Sequence, residues 1–267
     1  MIVDFHSHTS ESDGTLKPQA LADFMAERKV EIFSISDHDT MSAYGKFSPS
    51  PDSRVVTGVE INTTYRGNEV HLLGYGMAAD APELVTMIEH NRDARRVRAQ
   101  RMVDQLQRAG YGITLNEVLR EAPDAKAIGR PHVAKALIAK GMVPDIDWAF
   151  RNLLRSGMPG YVPSLHITPH QAIERIRASG GVAVLAHPGR LKDRILIDEL
   201  APVGLQGLEV FYPRHDADDV RMFRDLALRY GLVMTAGADF HDIRYHTRGV
   251  GMDVERDDIA PFLDLIM

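Results

Sequence analysis

The chain has 267 residues, 44% hydrophobic and 25% charged, with a formal net charge of −6. That is enough apolar material for one large folded unit, and the negative balance excludes a generally basic nucleic-acid binder. With no cysteine, disulfides, thiolate metal sites and a cysteine nucleophile are excluded.

The first predicted strand, Ile2–Phe5, runs into His6-Ser7-His8. Residues i and i+2 of a strand share a face, so the two imidazoles can chelate together. Asp13 follows in the next loop, and a helix is predicted over Pro18–Glu27. A second apolar run, Ile32–Ile35, ends in Asp37-His38. A third, Val55–Val59, ends at Glu60, and a fourth, Val70–Leu73, carries His71. No signal-peptide pattern precedes Asp4 and His6, and no run has the length of a membrane span, so a cytoplasmic protein is expected.

From 82 to 164 the pattern changes. Helices are predicted over Glu83–Ala109, Leu115–Arg120, Pro131–Ala139 and Ile146–Arg155, with no convincing strand between them. Arg92, Arg95, Arg96, Arg98 and Arg101 crowd the first of these; with Glu89, Asp93 and Asp104 at pairing distance, a solvated, salt-laced face is expected. Alternation then resumes: helix Thr168–Ala178, strand Val182–Ala186 ending in His187-Pro188, strand Gly207–Phe211, helix Asp218–Tyr230, and strand Leu232–Ala236 ending in Asp239-Phe240-His241. Glycines at 180, 181, 204 and 231 stand where helices should stop.

Strand–helix alternation argues for a parallel sheet or barrel, and barrels gather strand-end residues at one mouth. The expected organisation is an α/β barrel over 1–81 and 165–267, interrupted by an all-helical insertion over 82–164. A buried histidine taken singly is usually a satisfied core residue. A whole set of titratable groups at successive strand ends would be costly to bury without cations to pair them. Imidazole with carboxylate suits manganese, zinc or iron, and a shared acid such as Glu60 can bridge two ions roughly 4 Å apart that clamp a phosphoryl or carbonyl oxygen. His90, His166, His170, His215 and His246 lack strand-end placement and are expected to be structural or superficial.

His6-Ser7-His8, Asp13, Asp37-His38, Glu60, His71, Ala186-His187-Pro188 and Asp239-Phe240-His241 resemble, in order and over nearly the whole chain, the PHP (polymerase and histidinol phosphatase) family of the amidohydrolase superfamily. The resemblance implies a distorted (β/α)7 barrel with two or three divalent ions, manganese favoured and zinc or iron as alternatives, and phosphoesterase activity. It places one ion on His6, His8, Glu60 and Asp239, a second on Glu60, His71 and His187, and a third on Asp13, His38 and His241. Some members have histidine in place of Asp13. For proton handling the candidates are Asp37 or Asp239, with His241 or His132 near the leaving oxygen.

The helical insertion resembles that of a stand-alone bacterial branch acting on 3′,5′-bisphosphonucleotides or short 5′-phosphorylated oligonucleotides. Its segment Gly129-Arg130-Pro131-His132-Val133-Ala134-Lys135 offers cations at a helix start, where free N–H groups favour phosphate. Arg130, His132 and Lys135 are therefore expected to bind a substrate phosphate, with Tyr161, Ser164 and Arg190 as further candidates. The expected function is removal of the 3′-phosphate from a bisphosphonucleotide, with trimming of short oligonucleotides as a second use. Neither a membrane nor a stable nucleic-acid complex is expected. Two alternatives are a phosphatase for another small monoester, such as histidinol phosphate, and a non-catalytic scaffold module; the intact ligand set argues against the scaffold.

Overall fold

The structure is a computed structural model that describes residues 1–164, 166–244 and 249–267. The expectation for His246 falls outside the described residues.

Nine strands are described, in two sheets. In the first, β1 (Ile2–Asp4) lies between β2 (Ile32–Phe33) and β9 (Met252–Asp253), with β3 (Arg54–Val55) outside β2. The second runs β4 (Gly58–Tyr65), β5 (Asn68–Tyr75), β6 (Val182–Leu185), β7 (Gly207–Phe211), β8 (Val233–Ala236). The sheets meet at β1 and β8, where Phe5 N–H donates to Ala236 O at 2.9 Å, and at an isolated bridge between His38 and Glu60.

Two departures from the sequence expectation have local causes. The third apolar run is not one strand. It breaks after Val55, and Gly58 starts β4 in the other sheet. The fourth run is longer than expected and pairs with β4 antiparallel, not parallel. The connection is the two-residue loop Arg66-Gly67, both residues having positive φ (47° and 76°), the geometry that matches a hairpin's twist. Arg-Gly is a weaker turn signal than Asn-Gly, so the sequence marks this hairpin only faintly.

Helices α1 (Pro18–Glu27), α2 (Pro82–Arg108), α3 (Leu115–Arg120), α4 (Arg130–Ala139) and α5 (Ile146–Ala149) match expectation closely, α5 passing into a π turn at Phe150–Leu154. After them come α6 (Pro169–Ala178), α7 (Ile195–Leu200), α8 (Ala217–Tyr230) and α9 (Arg256–Ile266). Thr168 and Gln171 form a capping box at α6, and Asp216 caps α8, which stops at Gly231 in the left-handed region. Helices α7 and α9 had no counterpart in the sequence reading.

The segment between α2 and Val162 has its own apolar core, including Leu106, Ile113, Val133, Leu137 and Leu153. The first turns of α2 belong elsewhere: Leu84, Met87 and Ile88 pack into the core under β4 and β5. The arginine run of α2 is not a solvated face either. Asn91, Arg95 and Arg98, at helical spacing, are all buried. Arg95 donates to Asp39 at 2.6 Å and to the amide oxygen of Asn62, while Arg98 pairs with Glu69 and donates to Val162 O. Arg96 and Arg101 do remain exposed. No described helix is long and apolar enough to cross a membrane.

Candidate metal centre

Six strands deliver side chains to one place. His6 and His8 leave the end of β1, His38 follows β2, Glu60 and His71 come from β4 and β5, His187 follows β6, and Asp239 and His241 follow β8. Gly237 permits this convergence, since a Cβ there would stand 2.3 Å from that of His6. His187 (φ 30°) and Asp239 (φ 53°) are non-glycine residues in the left-handed region, a strain that folds tolerate mainly at functional sites.

Glu60 is the hub. Its Oε2 lies 3.3 Å from His6 Nε2, 3.2 Å from His8 Nε2 and 2.8 Å from His38 Nδ1. Its Oε1 lies 2.7 Å from His71 Nδ1 and 3.3 Å from His187 Nε2. Asp239 Oδ1 stands 3.4 Å from both His6 and His8, and Asp13 Oδ1 stands 3.3 Å from His241 Nε2. Among the described residues, three sets of ligand atoms each fall within 4.8 Å of one another: His6, His8, Glu60 and Asp239; His8, Asp13, His38 and His241; and His38, Glu60 and His71. His187 faces the Glu60 oxygen that His71 faces, but falls outside the third set, where His38 takes its place.

The polar atoms themselves test whether cations fit. His6 Nε2, His8 Nε2, His38 Nδ1 and Glu60 Oε2 are buried and make no hydrogen bond, although they crowd one another. Buried polar atoms are almost always satisfied, so orphans aimed at one point fit a cation site. The donor set of imidazole and carboxylate suits a divalent transition ion.

Electrostatics agree. Burial opposes the charge of Glu60, yet His38, His71 and His6 hold its carboxyl well below the usual range. Burial likewise opposes the charge on Asp13 and Asp239, and the surrounding imidazoles hold both low. Burial pushes His38 down to about 4 despite Glu60 and Asp13, leaving a neutral ring, the form that ligates.

Sequence reasoning passed over Glu209. This buried acid in the middle of β7 accepts from His6 Nδ1 at 2.8 Å and from the His187 amide at 2.7 Å. It fixes the His6 tautomer so that Nε2 faces the cluster. The available signal was a lone acid inside the apolar run Gly-Leu-Glu-Val-Phe. His215 acts similarly one layer out: its ring bridges the Gly189 amide at 3.1 Å and Val210 O at 2.9 Å, bracing the loop that carries His187 and Arg190.

The structure separates the remaining candidates. Asp37 does not face the cluster. It accepts from Thr9 N–H, Thr9 Oγ1 and Ser12 Oγ at 2.6–2.7 Å, which fastens the loop that presents Asp13. Arg130 does line the mouth, in a space shared with Asp13, His38, His71, Asp239 and Arg190. Its guanidinium is paired with Glu69. Arg190 also reaches the mouth, 3.1 Å from Asp239. Tyr161 lines a neighbouring cavity. His132 is instead buried, accepting from the Gly129 amide at 3.0 Å to hold the start of α4. Lys135 lines a cleft behind the Asp13 loop. Ser164 is buried and interacts with the amide of His166. The phosphate cradle expected from Arg130, His132 and Lys135 does not form, because helical spacing turns the three side chains in different directions.

Burial lowers His132 to about 4 from an ordinary 6.5. The unfolded chain then takes up a proton before the fold does, so stability is full above pH 6.5 and is lost as pH falls towards 4, by roughly 3 kcal/mol. His132→Asn keeps an acceptor for Gly129 and is expected to remove that part of the pH dependence. Urea unfolding of both proteins at pH 7 and pH 4.5 checks it; parallel losses would mean that His132 titrates normally.

No family model matches the chain. It is similar to a 3′,5′-nucleoside bisphosphate phosphatase from Chromobacterium violaceum, 33% identical over 258 residues that span 93% of this chain and 90% of the relative. It is 32% identical to the 5′-3′ exoribonuclease Rnm of Escherichia coli, over 90% of this chain and 85% of that one. A phosphoribosyl 1,2-cyclic phosphate 1,2-diphosphodiesterase from Eggerthella lenta is 32% identical over 90% and 94%. Among solved structures, an amidohydrolase from Chromobacterium violaceum holding sulfate and no metal superposes with a TM-score of 0.87 at 30% identity, covering 98% of this chain and 95% of that one. A protein from Bifidobacterium adolescentis described as a metal-dependent phosphoesterase gives 0.84 at 28% identity, covering 99% and 96%.

Proposed function

Since the chain belongs to the PHP family of metal-dependent phosphoesterases, we propose that it removes the 3′-phosphate from 3′,5′-bisphosphonucleotides in the cytoplasm, with trimming of short 5′-phosphorylated oligonucleotides as a related use. The observation that carries this is a buried, orphaned histidine–carboxylate cluster opening onto two arginines, in a chain similar over nine-tenths of its length to a bisphosphate phosphatase. In this reading the two sheets are arcs of one distorted (β/α)7 barrel, and 82–164 is a cap over its mouth.

His6, His8, Glu60 and Asp239 would hold one divalent ion, with Glu60 shared towards His71 and His187 for a second, and Asp13, His38 and His241 offering a third position. Manganese is the expected metal. When bound, such ions supply Lewis-acid charge and activate water. The protein's own part is to place the phosphoryl group. Arg130, steadied by Glu69, and Arg190, steadied by Asp239, converge on the mouth and can neutralise charge on the non-bridging oxygens. The Asp239 carboxyl is held low by the surrounding imidazoles and stays ionised, so it would act as a ligand and not as a proton donor.

The test compares 3′,5′-bisphosphoadenosine with 3′-AMP under identical Mn²⁺. Binding energy from the phosphate that is not cleaved should raise kcat/KM by about a hundredfold or more. If 3′-AMP is an equally good substrate, the protein is a general monoesterase and the two-phosphate reading is wrong.

A further inference from the structure

Beside the cluster lies a larger cavity, of about 260 Å³, where the cap faces the β4–β5 hairpin and the loop after His187. It is continuous with the mouth, because Glu69, Arg130 and Arg190 line both this cavity and the space containing His71 and His187. The rest of its lining includes Tyr65, Arg66, Arg155, Tyr161, Lys192 and the acid Asp193.

The charges in this cavity are not equivalent. Arg130 is paired with Glu69, Arg190 with Asp239, and Arg66 with Glu199 at 3.0 Å and Asp193 at 3.7 Å. Arg155 and Lys192 have no ion-pair partner among the described residues, and both are exposed. Arg155 ends the cap's last helical turn; Lys192 belongs to the barrel side. Two cations without ion pairs, one from each side, match the two negative charges of a phosphate monoester, and unlike Arg130 and Arg190 they do not line the spaces that contain the cluster residues.

We infer that this outer cavity is the subsite for the phosphate that is not cleaved, with Arg155 and Lys192 as its charge partners. The inference rests on the bisphosphonucleotide reading above and gives it a location. The nucleotide is gripped across the gap between cap and barrel, and not at the start of α4. Selectivity for two phosphates over one then depends on a residue from each side.

The experiment uses Arg155→Ala, Lys192→Ala and the double variant, each loaded with Mn²⁺. Two quantities are read: the ratio of kcat/KM for 3′,5′-bisphosphoadenosine to that for 3′-AMP, and the calorimetric affinity for 5′-AMP beside that for adenosine. Each single change should lower the ratio and the 5′-AMP affinity about tenfold, and the double change about a hundredfold, the usual worth of charged hydrogen bonds. A ratio and an affinity within about twofold of the wild type overturn the subsite. So does an equal loss on both substrates, which would be general attraction, or an equal loss for adenosine, which would place the base there. If the wild type shows no preference for the bisphosphate while 5′-AMP affinity still falls in the variants, the functional reading fails and the subsite stands.

Discussion

Glu60→Ala is expected to be the most damaging single substitution in the chain, lowering kcat/KM by about a thousandfold or more, which corresponds to ~4 kcal/mol of transition-state stabilisation. The reason is its position. One carboxylate faces five imidazoles, with both oxygens in use. Removing a single histidine leaves the other donors around a cation; removing Glu60 strips charge from two adjoining sets at once. It also takes from His71 and His187 the carboxylate oxygen that both face, and breaking a buried pair by removing one partner is costly. Metal content after Mn²⁺ reconstitution should fall along with activity, and His71→Ala should do less on both counts. Wild-type protein retaining less than one metal per chain would sink the metal reading, and equal effects of Glu60→Ala and His71→Ala would remove the hub.

Arg130→Ala is expected to lower kcat/KM about ten- to a hundredfold on both 3′-AMP and 3′,5′-bisphosphoadenosine, the loss of one charged hydrogen bond in a partly buried mouth. Arg130 lines the space that holds Asp13, His38 and His241, so it should serve the phosphate under attack, present in both substrates. Glu69 presents it from β5, and the guanidinium lies 5.7 Å from the Phe150 ring centroid, which leaves few other directions for it. Metal content should be unchanged. A loss confined to the bisphosphate would move Arg130 to the outer subsite. An unchanged enzyme would leave it as the first residue of α4, paired with Glu69 and nothing more.

These two residues differ in how they could be found. Glu60 stands at the end of an apolar run and declares itself by pattern; its role as hub does not. The strand-end positions of His6, His8, His38, His187, Asp239 and His241 were readable because strand periodicity and apolar runs are local properties of the chain, whereas Glu60 and His71 lie inside β4 and β5. Helix starts and stops at Pro18, Thr168 and Gly231 were readable for the same reason, since caps involve residues only a few positions apart.

What tertiary structure alone decided is where long side chains end and what meets them. Arg95 and Arg98 looked like members of a solvated arginine face, and the hairpin brought Asn62 and Glu69 up to receive them, with Asp39 beside Asn62. Asp37 looked like a catalytic acid and became the fastening of a loop, because Thr9 and Ser12 arrive from 28 and 25 residues away to occupy it. His132 and Lys135 followed Arg130 in a phosphate-like motif, but one helix cannot aim three successive faces at one ligand. Glu209 stayed hidden because its partner, His6, is 203 residues distant. The sequence by itself determined which residues stand at strand ends and what chemistry they offer. Partners, tautomers and the direction of each cation depend on contacts between distant segments, and periodicity carries no information about those.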